Sequence, residues 1–455
     1  VRRPPAPVPR KLWHREGRTD PGIEAYTAAT DVELDRGFLP YEIYGSLAHA
    51  SGLRNIGLLE EGELRAVRAE LRKLLSRAGS FRIRPAQEDI HTALEQYLTR
   101  HLGATGAKIQ AGRSRNDQVQ TNLRLYLKDQ LLRLQKLALE ASAAWERFGK
   151  RYDHLPFPGY THLQRAMPTT LGHWAASHAE ALLEACGPFG FAYEEADRCP
   201  LGSAAGFGAP LPLDRRHVAR LLGFRRVQRN TLRVQSARPR VEAAALFALA
   251  AVGRDLAVLA WDVSLFTTAE FGFFTLDPSV TTGSSLMPQK RNPDLVELTR
   301  ARAALFPGWL AQILEIGSLP SGYHRDYQTT KKPLVDAVRT MSEMLDIAAR
   351  LPEAIRVREE RCRAAVSGEM LAAARALALA RRGVPFREAY GRIAREVRKD
   401  APRGPLARGL ELPAYPGAPG NPDWNGIARD RAELWRKIRA ERRRLESRWR
   451  ALLEG

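Results

Sequence analysis

Between Gly283 and Asp294 the chain reads Gly-Ser-Ser-Leu-Met-Pro-Gln-Lys-Arg-Asn-Pro-Asp, so two hydroxyls (Ser284, Ser285), an ammonium (Lys290) and an amide (Asn292) share one short loop. Gly283 supplies backbone freedom, Pro288 stiffens the middle and Pro293 ends the segment. Such a loop can close over an anion as a catalytic lid does, although a Ser-rich, Pro-bounded surface loop has the same composition. In Gly112-Arg113-Ser114-Arg115-Asn116-Asp117, Ser114, Asn116 or Asp117 can cap a helix. Capping accounts for one residue, and two guanidinium forks beside a helix N-terminus are placed to hold a carboxylate. Thr161-His162 sits in a Pro- and Gly-bounded stretch where a lone histidine is ordinarily a polar surface residue. Tyr323, Gln328 and Lys331 form a polar patch that fits either a carboxylate or a solvated turn. Glu88 and Asp89 fit the acidic start of a helix.

The elements that must position these groups are helices. Leu64, Val67, Leu71 and Leu74 mark a helix from Glu61 to Leu75, and another leads from Pro40 to Leu53. Leu123, Leu127, Leu131, Leu134 and Leu137 mark a long amphipathic helix over Val119–Phe148, and a second long helix is expected from about Thr169 to Asp197. Val241–Phe266 is apolar nearly all round, as a buried central helix is. After the loop, Leu295, Leu298, Ala301 and Leu305 share a helical face. Long helices without alternating strands predict an all-α, long-helix bundle. The expected division is an N-terminal helical domain over 1–112, a central bundle over 113–362 carrying the loop 283–294, and a small helical domain over 363–455.

The 455 residues hold 44% hydrophobic side chains, enough for two or three domains and a large core. Three scattered cysteines, Cys186, Cys199 and Cys362, supply neither a disulfide framework nor a metal cluster, and fit a reducing cytoplasm. The apolar run from Ala243 to Gly253 stops at Arg254-Asp255, short of a membrane span, and Val1-Arg2-Arg3-Pro4-Pro5 reads as a disordered leader and not a signal peptide. The net charge of +20 would suit a nucleic-acid binder. Its densest block, Arg429–Arg450, reads instead as one solvated helix with Leu434, Ile438, Leu445 and Leu452 on its apolar side. No aromatic-interleaved ribbon accompanies it, so nucleic-acid binding is the second hypothesis.

Gly-Ser-Ser-x-Met-Pro-x-Lys-x-Asn-Pro resembles the signature loop of the fumarase/aspartase superfamily, and Gly-Arg-Ser-Arg-Asn-Asp-Gln with Pro-Gly-Tyr-Thr-His-Leu-Gln resembles the argininosuccinate lyase family within it. Glu-Asp-x-His at residues 88–91, Pro-Leu-Gly-Ser at 200–203 and Tyr-x-x-Asp-x-Gln-x-x-Lys at 323–331 add to the likeness. The chain departs from it at Gln110-Ala111, where His-Thr is usual, at Pro239-Arg240 after the retained Arg238, at Tyr390, and at His14 to Gly17 after Leu12-Trp13. The resemblance implies cleavage of argininosuccinate to arginine and fumarate by anti β-elimination, in arginine biosynthesis, with no cofactor or metal. It also implies a homotetramer with a 20-helix core and active sites built from three chains.

By the same resemblance Arg115, Asn116 and Thr161 contact the succinyl carboxylates, and Tyr323, Gln328 and Lys331 hold the amino-acid end. Arg238 joins the substrate contacts, and Lys290 and Asn292 hold the carboxylate where charge builds. His162, oriented by Glu297, is the proton donor. Ser284 is the expected base, with Ser285 its competitor. A serine oxygen can serve only if it is ionised, which requires a field from Lys290 and loop N–H groups. Adenylosuccinate lyase or fumarase types share the loop alone. A crystallin-like member without catalysis is the other alternative.

Overall fold

Short polar residues cap some of the helices of this chain, and the computed structural model describes residues 20–28, 31–399 and 411–455. The helices of ten residues or more are α1 (Leu39–Asn55), α2 (Glu61–Ser76), α3 (Ile90–Leu102), α4 (Arg115–Arg151), α5 (Leu171–Glu184), α6 (Cys186–Ala196), α7 (Arg238–Phe266), α8 (Asp294–Ala303), α9 (Leu305–Ile316), α10 (Lys331–Ala354), α11 (Ala372–Arg381), α12 (Phe386–Lys399) and α13 (Trp424–Glu454). Asp89 caps α3 by accepting the Thr92 N–H, and Ser114 caps α4 in a reciprocal box with Asp117. The all-α class holds. Strands among the described residues occur only as four two-stranded pieces.

The bundle is built on α4, 37 residues and about 55 Å long at 1.5 Å per residue. Leu123, Leu127, Leu131, Leu134 and Trp145 point into a core shared with α5, α6 and α10. The second long helix of the sequence reading is instead two, broken at Ala185. Pro188 has no N–H to give Glu184, so the helical ladder fails at that turn. Thr170, expected inside that helix, lies on a strand and caps α5.

The stretch read as a simple turn before α5 is a β-hairpin, β1 (Pro156–Thr161) paired antiparallel with β2 (Gln164–Thr170). His162 and Leu163 form its two-residue tip with φ of 55° and 57°, the left-handed geometry that matches strand twist. A Cβ on Gly159 would lie 2.7 Å from the Met167 carbonyl oxygen, so the bulge there admits only glycine. Phe157 anchors the hairpin's base among Phe266, Phe273 and Phe274.

Against α7 pack α6, α8, α9 and α10. Val241, Leu246, Leu249, Val252, Leu256, Leu259 and Val263 are buried, but Phe247, Val258 and Trp261 lie 58, 37 and 54% exposed. The expectation of a helix buried all round is therefore corrected for the single chain, which leaves one apolar stripe open. The helix after the loop turns the same way. Its core contacts are Val296, Thr299 and Ala303, while Leu298 and Leu305 of the face picked out by spacing are exposed. Thr231–Phe266 is apolar enough by composition to cross a membrane, yet half of its most apolar window is buried in the protein.

At the C-terminal end α11 and α12 pack on each other, whereas α13 runs back along α1, α2, α4 and α5. Ile438, Leu445, Trp449 and Leu452 are its buried side. Arg442 and Arg431, counted as solvated charges in the sequence, pair with Asp129 and Glu146. Val1 to Arg3, Leu12-Trp13 and His14 to Gly17 lie outside the described residues, as do residues 400–410 after Lys399.

Candidate active site

Four helix N-termini converge on one cavity of about 150 Å³. Asp89 is the cap of α3, while Arg115, Arg238 and Lys331 are the first residues of α4, α7 and α10, and all four side chains line it. Helix N-termini carry partial positive charge, so their convergence favours an anion. Asn116, Tyr323 and Gln328 complete the group, so the cavity gathers six of the residues picked out by sequence: Arg115, Asn116, Arg238, Tyr323, Gln328 and Lys331.

The walls are not simply cationic. Arg115, Arg238, Arg325 and Lys331 face Asp31, Asp35, Glu88 and Asp89. Arg115 donates to Asp89 at 2.6 Å through Nε and reaches Glu88 at 3.5 Å. Burial opposes its charge, but Asp89 and Glu88 raise the guanidinium above its ordinary range. Lys331 is buried and donates to Asp35 at 2.6 Å with Asp31 at 3.0 Å. Burial again opposes the charge, and Asp35 and Asp31 overcome it and hold the ammonium above the usual range. Burial lifts the Asp31 carboxyl in turn. Arg238, 3% exposed, donates Nε to Glu242 at 3.2 Å, while its buried Nη2 has no acceptor among the described residues. A buried donor without a partner costs about 1–3 kcal/mol, and a guanidinium pairs well with a carboxylate.

Arg113 is a correction. Read as the second fork for a carboxylate, it turns inward and donates to Ser46 at 2.9 Å, so only Arg115 serves the cavity. The departures nearby are absorbed locally. Gln110 accepts from Arg113 at 3.5 Å, and the Ala111 carbonyl meets His49 Nε2 at 2.9 Å. Pro239 fits the first turn of α7, as proline can, and Arg240 turns away to Glu195 at 2.9 Å. Tyr390 is exposed on α12 and does not reach this cavity.

The other six lie elsewhere on the single chain, and none of them lines the cavity. Thr161 and His162 are exposed at the hairpin tip. Ser284, Lys290 and Asn292 belong to the loop closed by the pairing of Thr282–Gly283 with Arg291–Asn292, and Glu297 follows on α8. Ser284 Oγ accepts the N–H groups of Leu286 at 3.2 Å and Met287 at 3.0 Å. Those two donors stabilise negative charge on that oxygen, and Ser285 has no such pair among the described residues.

Sequence reasoning missed the support beneath the cavity. Glu42 accepts from His91 Nδ1 at 2.7 Å, Asn122 at 2.7 Å and Gln118 at 3.1 Å. Burial works against its charge, yet His91, Arg113 and Asn122 pull the carboxyl down to about 2. Burial likewise opposes the His91 imidazolium, but Glu42, Asp89 and Asp35 raise it above its ordinary 6.5. Asp117, read as a cap, also accepts the N–H groups of Gly202 and Ala204 at 2.9 Å and so pins the Pro-Leu-Gly-Ser turn to α4. Glu88 and Asp89 do more than start a helix, since they hold Arg115 and, through Glu88, Arg325. A signal was present for these: acidic residues at helix starts spaced along the chain opposite retained cations.

The long-helix bundle is matched by the sequence profile of the family described as Lyase over residues 14–308, which makes the chain a member of a lyase class. The chain belongs to the argininosuccinate lyase family. It is 43% identical to argininosuccinate lyase of Sorangium cellulosum over 92% of this chain and 98% of that protein. It is 44% identical to argininosuccinate lyase of Xylella fastidiosa over 84% of this chain and 87% of that one. In fold it is similar to EDDS lyase in complex with formate, with a TM-score of 0.78 at 23% identity over 96% of this chain and 95% of that one.

Proposed function

We propose that this enzyme cleaves argininosuccinate to arginine and fumarate by anti β-elimination, in arginine biosynthesis. The observation that carries the reading is the match along nearly the whole length to argininosuccinate lyases. The cavity's chemistry supports it: four cations and four carboxylates suit a ligand with charges of both signs, and the substrate carries three carboxylates with an ammonium and a guanidinium. Arg115, Asn116 and Arg238 face carboxylate, with Arg238 Nη2 without an acceptor among the described residues. Tyr323, Gln328 and Lys331 hold the amino-acid end, where Asp31 and Asp35 attract its ammonium.

Ser284 removes the proton α to the carboxylate. Its oxygen, held by two N–H groups, is suited to bear charge, and Lys290 and Asn292 stabilise the dianion that follows. His162, positioned by Glu297, protonates the departing guanidinium nitrogen, and Thr161 steadies the succinyl carboxylate. Because neither the hairpin tip nor the Ser284 loop lines the cavity within one chain, we place the working site between copies in a homotetramer with a 20-helix core. We place the enzyme in the cytoplasm. The test follows fumarate by its ultraviolet absorbance with argininosuccinate, adenylosuccinate or malate supplied. Turnover of argininosuccinate alone is expected, and preference for either other substrate would overturn the reading.

A further inference from the structure

A second cleft, of about 490 Å³, opens where the parallel pair Arg198–Cys199 and Arg226–Val227 meets the start of α7. Its walls carry six arginines, Arg124, Arg198, Arg226, Arg229, Arg233 and Arg240, and a single carboxylate, Glu195. It shares no lining residue with the cavity of the lyase site. The arginines arrive from α4, from both strands and the loop after them, from the helix Thr231–Ser236 and from α7, so no one helix face dictates the cluster. Glu195 is already committed, accepting from Arg198 and Arg240 at 2.9 Å each. Arg124 is buried and donates to Gln228 at 2.5 Å and to the Arg198 carbonyl. Arg226 and Arg229 have no carboxylate partner among the described residues, and the Arg233 side chain has there only a 3.5 Å bond to the Ser236 carbonyl.

Gathering like charges from separate elements costs folding free energy through their repulsion, and of the lining residues only Glu195 offsets it. Guanidinium forks pair two oxygens at once and match the geometry of phosphate. Six positive charges against one negative leave five to be balanced, more than a single carboxylate or monophosphate supplies. The walls present no aromatic ring on which bases could stack, which argues against a single-stranded nucleic acid. The cleft is concave and of small-molecule size. We propose that it binds a polyphosphate anion, either the phosphate chain of a nucleotide or an inorganic polyphosphate.

The test is isothermal titration of the whole protein at fixed ionic strength with sodium tripolyphosphate, ATP and a short duplex oligonucleotide, beside the variant R226Q/R229Q/R233Q. Saturable tripolyphosphate binding, with affinity lowered about tenfold or more in the variant, is expected. Argininosuccinate turnover without polyphosphate and the circular dichroism spectrum should be unchanged in that variant. ATP binding more tightly than tripolyphosphate assigns the nucleotide form, and equal affinity assigns the bare phosphate chain. Absence of saturable binding, equal affinity in the variant, or displacement by argininosuccinate overturns the proposal. So does tighter binding of the oligonucleotide, which would make the cleft part of a nucleic-acid surface.

Discussion

Two serines stand side by side in the loop, and their hydrogen bonds separate them. Ser284 Oγ collects two backbone N–H groups, which lower the cost of charge on that atom. Ser284→Ala is expected to lose at least about a thousandfold in kcat with the helical spectrum intact, whereas Ser285→Ala should lose far less. Near-normal turnover in the first variant would remove Ser284 from the mechanism. Below the cavity, Glu42 and His91 make a pH window. The Glu42 carboxyl is depressed, so its contribution is complete above its ordinary 4.5 and is lost as pH falls towards 2. The His91 imidazole is raised, so its contribution is complete below 6.5 and is lost as pH climbs through the raised value. The urea midpoint of the wild type should therefore be highest between 4.5 and 6.5 so far as this pair governs it, and Glu42→Gln should flatten both limbs. An unchanged profile in that variant would assign the pH dependence to other groups.

At the scale of elements, close helix approach decides more than hydrophobic count. A Cβ on Gly253 would lie 2.8 Å from the Phe306 ring, which lets α7 and α9 meet backbone to side chain. Gly253→Val should cost about 1–3 kcal/mol by overpacking, read as a lower urea midpoint with an unchanged slope. A fully neutral substitution would show that α9 yields at that contact. The long helices, their caps and the leucine ladder of α4 were legible in the sequence because burial at a 3.6-residue period leaves a pattern. The break at Ala185 was legible in principle through Pro188. The hairpin was missed because its strands are short, proline-bearing and held by aromatic packing from residues about a hundred positions away.

For the whole molecule, Phe247, Val258 and Trp261 on α7 and Leu298, Leu305 and Leu314 on α8 and α9 are large apolar groups left open on a single chain. Exposed apolar area of this kind marks an interface, and the proposed tetramer would cover it. Trp261→Glu is expected to shift the protein to smaller species in sedimentation velocity and to lower activity with it. If sites are shared between copies, mixing inactive Ser284→Ala with inactive Arg115→Ala after mild dissociation should restore part of the turnover. No recovery in hybrids shown to have formed would place all catalytic groups in one chain.

The sequence by itself determined the all-α class, the family and the identity of most chemical groups, because helical periodicity and a contiguous loop motif are local properties. Which groups meet was decided only by the tertiary structure. Arg115 and Arg113 are two residues apart, yet one lines the cavity and the other turns to Ser46, since the start of α4 points them to different sides. Lys331 meets Asp31 and Asp35 across some three hundred residues of chain. The loop that carries Ser284 contributes no residue to the lining of that cavity within one chain, which its sequence motif does not reveal.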